Sequence, residues 1–149
     1  MLPTNKQVTT DAAQADVELE IEERQYSEFA LRDNPELEKA LLRIGIRKVS
    51  TEYSVPDFGR IVIAGSEVAT GEFTSVELKV VEAGSKEAAQ ACKYLAFQER
   101  MKGTGKSGRV VLIALSFNIT FWAVAKRFPE IQAFSYTQDA TGAIALTRE

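Results

Sequence analysis

The 149-residue chain contains no histidine and a single cysteine, Cys92. Without an imidazole, Ser-His-Asp and Cys-His nucleophilic sites, zinc–imidazole centres and histidine acid/base chemistry are excluded. One cysteine excludes an intrachain disulfide and a thiolate zinc site, and it suits a reducing compartment. No apolar run approaches the ~20 residues of a membrane span. The opening residues, Met1-Leu2-Pro3-Thr4-Asn5-Lys6-Gln7, lack the apolar core of a signal peptide. These absences predict a soluble, cytoplasmic protein with no membrane contact. The chemistry they leave is that of carboxylates, lysines and a hard metal ion.

What is present suits one domain. Apolar residues at 45% and charged residues at 26% are ordinary globular values, and a chain of this length buries about two-thirds of its unfolded surface. The net charge of −3 conceals a split. Residues 1–40 carry ten acids against four bases (−6), and residues 41–149 carry eleven acids against fourteen bases (+3). The acidic head can serve as a partner surface, and the mildly basic body permits nucleic-acid binding.

Residues 1–10 are polar and unpatterned and read as a loose tail. The composition from Asp11 to Leu31 permits a helix or a short edge strand, with helix the preferred reading. Asn34-Pro35-Glu36 has the form of a helix start, with Asn as N-cap and Pro at the first helical position. That helix spans 35–43, buries Leu37 and Leu41, and ends at Gly45. An extended stretch runs from Ile46 to Val55, Pro56-Asp57-Phe58-Gly59 makes a turn, and Arg60 to Ala64 is a short strand. After a loop from Gly65 to Gly71, Phe73 to Val81 returns as its antiparallel partner. Ser85 is placed to cap a helix from Lys86 to about Met101, with Ala88, Ala91, Cys92 and Leu95 on its inward face. The run from Val110 to Leu115 is continuously apolar, as a central strand covered on both faces must be. A helix from Thr120 to Phe128 and two strands near 131–137 and 143–147 complete an α/β fold with a mixed sheet.

Two local patterns carry chemistry. On the strand 73–81, side chains alternate between faces, so Glu77 and Lys79 point one way while Val76, Leu78 and Val80 point the other. The pair is either a partly exposed salt bridge or a metal-binding carboxylate with a Lys that orients or activates water. Gln90 and Tyr94, four residues apart, share one helix face. Lys102-Gly103-Thr104-Gly105-Lys106-Ser107-Gly108 is not a nucleotide loop: Arg100 stands where its first Gly is required, and the segment leaves a helix to enter a strand. It reads as a basic loop able to touch a nucleic-acid backbone.

In this order and spacing the motifs resemble the PD-(D/E)XK metal-dependent nuclease superfamily, in particular its RecB-type and NucS-type branches. Tyr26-Ser27-Glu28-Phe29-Ala30-Leu31-Arg32-Asp33-Asn34-Pro35-Glu36-Leu37 is similar to the Glu-bearing helix and the Asn-Pro-Glu-Leu segment after it. Gly59-Arg60-Ile61 is similar to the Gly-Arg-Ile-Asp strand, Val76-Glu77-Leu78-Lys79 to the Glu-X-Lys strand, and Gln90 to Tyr94 to the Gln-X3-Tyr helix. The resemblance implies a restriction-endonuclease-like α-β-β-β-α-β core over 11–149, with a mixed central sheet flanked by helices. It further implies metal-dependent hydrolysis of DNA phosphodiester bonds, with Mg²⁺ or Mn²⁺ as cofactor. The site residues so implied are Asp57, Glu77, Lys79 and Gln90 for catalysis and Glu28, Asp57 and Glu77 for metal. Lys86, Lys93, Tyr94, Arg100, Lys102 and Lys106 would meet DNA. The family's metal-binding Asp falls on Val62, which cannot hold a cation. Either Asp57 supplies that ligand from a shifted position, or the chain is a nuclease-fold protein that no longer cuts. In the second case it would bind nucleic acid without metal, or a protein partner or second copy through the acidic segment 11–38. An unrelated α/β interaction domain is the third reading.

Overall fold

The computed structural model describes residues 15–16, 27–102 and 108–149, without the side chains of residues 101 and 102. The expected tail, half of the acidic segment 11–38, and the loop holding Lys106 lie outside the described residues. Residues 27–32 are helical, as is the next segment, α1 (Pro35–Arg43), where the Asn34 side chain accepts the Glu36 N–H at 2.9 Å. That bond satisfies one of the donors that every helix start leaves unpaired.

The strands are β1 (Ile46–Val55), β2 (Gly59–Glu67), β3 (Phe73–Leu78), β4 (Glu82–Ala83), β5 (Val110–Ala114), β6 (Ser116–Phe117), β7 (Ile131–Gln138) and β8 (Ile144–Arg148). Two further helices are α2 (Ser85–Lys102) and α3 (Ile119–Ala125). Six strands form one sheet in the order β1-β2-β3-β5-β7-β8. Its centre, β3-β5-β7, is parallel, and each flank is antiparallel. Helical crossovers through α2 and α3 make the parallel pairs possible. The fold is the expected mixed α/β core.

The apolar run at 110–114 shows why the sheet is covered on both faces. Val110, Leu112 and Ala114 pack into a core beneath α2 and α3, with Ala88, Ala91, Leu95 and Phe121. Val111 and Ile113 pack into a second core beneath α1, with Leu37, Leu41, Val76 and Leu78. A period of two thus divides one continuous apolar strand between two cores.

Several expectations need correction. Leu115 is not in the central strand: the sheet ends at Ala114 and Leu115 is half exposed. Gly84, not Ser85, caps α2, accepting the Ala88 N–H at 3.1 Å while the Glu87 carboxylate accepts the Gly84 N–H at 3.1 Å. Gly65 belongs to β2 rather than to the loop, and the helix read as ending at Phe128 stops at Ala125. The two-stranded parallel pair of β4 and β6 is too short to leave a pattern in the sequence. Among the described residues no helix is long and apolar enough to cross a membrane.

Candidate active site

The hairpin of β1 and β2 runs beside β3 only part of the way. Pairing between β2 and β3 stops at Ile63 and Val76. Beyond that point β2 stays with β1 as far as Gly59, while β3 stays with β5 through Leu78. The sheet therefore forks one residue before Val62 on one arm and Glu77 on the other.

Glu77 sits in this fork at 3% exposure. Its Oε1 lies 3.8 Å from Lys79 Nζ, at the outer limit of an ion pair and well beyond the 2.7–2.9 Å of a charge-assisted hydrogen bond. Its Oε2 is buried and, among the described residues, accepts no hydrogen bond. The pair is thus not a satisfied salt bridge. Burial pushes the Glu77 carboxyl up to about 7 against the opposing pull of Lys79; the charges of Glu28 and Glu52 push it further in the same direction, and the nearby Tyr94 hydroxyl draws it slightly back. Lys79 follows the end of β3, its N–H still donating to the Ile113 carbonyl at 2.8 Å. Its side chain, 25% exposed, reaches from the buried acid to solvent.

Behind Glu77 stands Tyr94, whose hydroxyl donates to the Arg60 carbonyl at 2.5 Å and accepts from Gln90 Nε2 at 3.0 Å. Burial, and then the Glu77 charge, raise the Tyr94 phenol above its ordinary range. Gln90 and Tyr94 do share a face, as their spacing requires. Gln90 reaches the site through Tyr94, which ties α2 to the β2 arm of the fork. Tyr94 itself needs correction, since at 1% exposure it is a buried strut and not a surface for DNA.

The other expected residues are dispersed. Glu28, half-buried on the helical segment 27–32, acts electrostatically on both Glu77 and Tyr136. Asp57 is exposed in the turn between β1 and β2, at φ +69°. Gly59 alone stands three residues past Val62, about 10 Å along a strand. Phe58 fixes this turn against α2 by stacking on Phe97, with ring centroids 5.6 Å apart. Among the described residues, no three His, Cys, Asp or Glu side chains converge as a metal-holding group, so Glu28, Asp57 and Glu77 are not assembled as they stand. Lys86, Lys93 and Arg100 are exposed at seven-residue spacing on α2, which makes one basic stripe. Arg100 also lies 5.8 Å over the Phe58 ring. The Lys102 side chain and Lys106 lie outside the described residues.

Two residues escaped the sequence reading. Gln98, fully buried on α2, binds the backbone of β3 and of the segment entering β5. Glu52 stands on β1 between the ladder pairs Thr51–Ile63 and Tyr53–Ile61, which puts it opposite Val62. It holds φ +51° and pairs with Arg32 at 2.8 Å and Arg60 at 3.8 Å. Aligning β1 with β2 by eye would have placed it beside the missing ligand.

This six-stranded mixed sheet flanked by helices is a restriction-endonuclease-like fold. No family model matches the chain, and no curated protein matches it. Among solved structures, a repair endonuclease from Pyrococcus abyssi is similar at 18% identity and TM-score 0.56, over 72% of this chain and 45% of that one. An EndoMS protein in complex with dsDNA is similar at 19% identity and TM-score 0.56, over 74% of this chain and 44% of that one. The chain thus spans less than half the length of each, and the likeness is one of fold.

Proposed function

We propose that this chain is a divalent-metal-dependent nuclease that hydrolyses DNA phosphodiester bonds at the fork between β2 and β3. The observation that carries this reading is the unpartnered, buried Oε2 of Glu77. Leaving a polar group buried without a partner costs about 1–3 kcal/mol, and more when it is charged. A protein retains such a group where a ligand satisfies it. The donors near the fork are carboxylates, and hard cations such as Mg²⁺ or Mn²⁺ take oxygen ligands. Glu77 and Glu28 would hold the ion. When bound, it would polarise the scissile phosphate and lower the pKa of a bound water.

The chain's own residues have separate tasks in this reading. Lys79, reaching from the buried acid to solvent, neutralises charge developing on the phosphate oxygens. Gln90 is a positioning residue: it holds the Tyr94 hydroxyl, and through it the Arg60 backbone at the fork. Lys86, Lys93 and Arg100 grip the DNA backbone, with an affinity that falls as salt rises. DNA as substrate is supported by the structural neighbour solved with dsDNA.

A second reading, a nuclease-fold module that binds DNA without cutting it, is favoured by Val62 at the expected ligand position and by the exposed Asp57. Incubating supercoiled and linear DNA with the full chain and Mg²⁺ or Mn²⁺ separates the two. The nuclease reading expects cleavage that EDTA stops and that Glu77→Gln and Lys79→Met each abolish while leaving the fold intact. Retained DNA binding with no cleavage under any metal establishes the second reading instead.

A further inference from the structure

Resting on the DNA reading above, we infer that Arg60 is a substrate-positioning residue that, with Lys79, clamps one phosphate of the DNA backbone across the mouth of the fork. The ladder between β2 and β3 sets the geometry. Its last pair is Ile63 with Val76. Carried three residues further along each strand, the same register puts Arg60 opposite Lys79, outside the pair of positions held by Val62 and Glu77. The strands have parted by then. Arg60 remains paired with Ser54 of β1, and the Lys79 N–H remains on the Ile113 carbonyl at the end of β5. Like charges directly opposite destabilise a ladder, so closing the sheet at this point would bring two cations together. An anion between the arms meets a cation from each.

Arg60 combines a fixed backbone with a releasable side chain. The Tyr94 hydroxyl donates to its carbonyl at 2.5 Å, and Gln90 holds that hydroxyl at 3.0 Å. Both residues belong to α2, so the helix that carries the basic stripe also positions Arg60. The Arg60 side chain is 72% exposed, and its contact with Glu52 is long at 3.8 Å, an ion pair of the kind that contributes little. Glu52 keeps Arg32 at 2.8 Å when Arg60 leaves, so the departure strands no charge. A guanidinium presents a planar fork of donors that matches two phosphate oxygens, whereas the Lys79 ammonium acts as a point charge. A contact of this kind orients the strand without reading its sequence.

The test measures binding of the full chain to duplexes of unrelated sequence by fluorescence anisotropy, in EDTA so that no cleavage intervenes. Arg60→Met should weaken binding about tenfold on every duplex, the scale of one lost charge-assisted contact, and Arg60→Lys should restore most of it. Because Arg60 and Lys79 share a phosphate, Arg60→Met combined with Lys79→Met should lose less than the product of the single losses. Arg60→Met combined with Lys93→Met, which meet separate phosphates, should lose the full product. The melting temperature of Arg60→Met should stay at the wild-type value, whereas a merely structural Arg60 would lower it and leave DNA binding unchanged. Wild-type affinity in Arg60→Met, or a loss that multiplies fully with that of Lys79→Met, overturns the clamp and leaves the nuclease reading to stand on cleavage with Mg²⁺ or Mn²⁺. A wild type that binds no duplex in EDTA also overturns the clamp, and cleavage with metal still judges the nuclease reading separately.

Discussion

Two polar side chains are buried near opposite ends of β3, and they are treated differently. Gln98 meets the start of the strand, where its Oε1 accepts the Ser75 N–H at 3.0 Å and the Ser75 hydroxyl. Its Nε2 donates to the Gly108 and Phe73 carbonyls at 3.0 and 3.3 Å. Glu77, near the other end, has a lysine at 3.8 Å and an oxygen with no partner. A buried amide with its capacity filled fixes one arrangement of chain. A buried carboxylate left unfilled opposes folding and marks a place kept for something else. The first end of β3 is built for stability and the second for chemistry.

The largest expected effect comes from spoiling the satisfied end. Gln98→Leu removes every bond of the amide and leaves the Ser75 N–H and the Gly108 carbonyl without it, a loss of about 3–5 kcal/mol. Urea denaturation measures this, and a loss below about 1 kcal/mol would erase the contrast. Gly108→Ala should also be costly, because a Cβ there would lie 2.2 Å from the Phe73 carbonyl oxygen.

At the unsatisfied end the sign reverses. The Glu77 carboxyl titrates near 7 in the folded chain, against an ordinary 4.5. Below the lower value both folded and unfolded states are protonated and nothing is lost. As pH climbs from there to about 7, the folded state gives up its proton less readily, and stability falls by about 3 kcal/mol in all. Glu77→Gln should remove that slope, so that at pH 8 the variant unfolds at higher urea than the wild type. A wild type whose stability is flat over this window would show the acid to be satisfied after all. Lys79→Met has the smallest effect, because the ion pair is long and one partner reaches solvent. It should cost under about 1 kcal/mol at pH 8, while removing any cleavage.

Much of this was legible beforehand. The alternation read over 73–81 announced Glu77 beside Lys79, although the strand ends at Leu78, and the i, i+4 spacing announced Gln90 beside Tyr94, because both depend only on local periodicity. The apolar run at 110–115 likewise announced a strand covered on both faces, with only Leu115 falling outside it. What escaped depends on pairing between distant segments. Gln98 reads as one more polar residue on an amphipathic helix until α2 lies over the start of β3. Glu52 gains meaning only from its register with β2, and local sequence does not reveal that β2 leaves β3 at Val62. Asp57 attracted attention through its Pro-Asp dipeptide, yet the turn holding it is turned towards α2 by Phe58.

The most direct test of a carboxylate kept unsatisfied for a metal ion is a melting curve at pH 8 for wild type and Glu77→Gln, each with and without Mn²⁺. Without the ion, Glu77→Gln should melt higher. With the ion at about 100 times its dissociation constant, the wild type should gain about 2.7 kcal/mol and Glu77→Gln nothing. A wild type that is the more stable without metal, and that Mn²⁺ does not shift, would contradict the account.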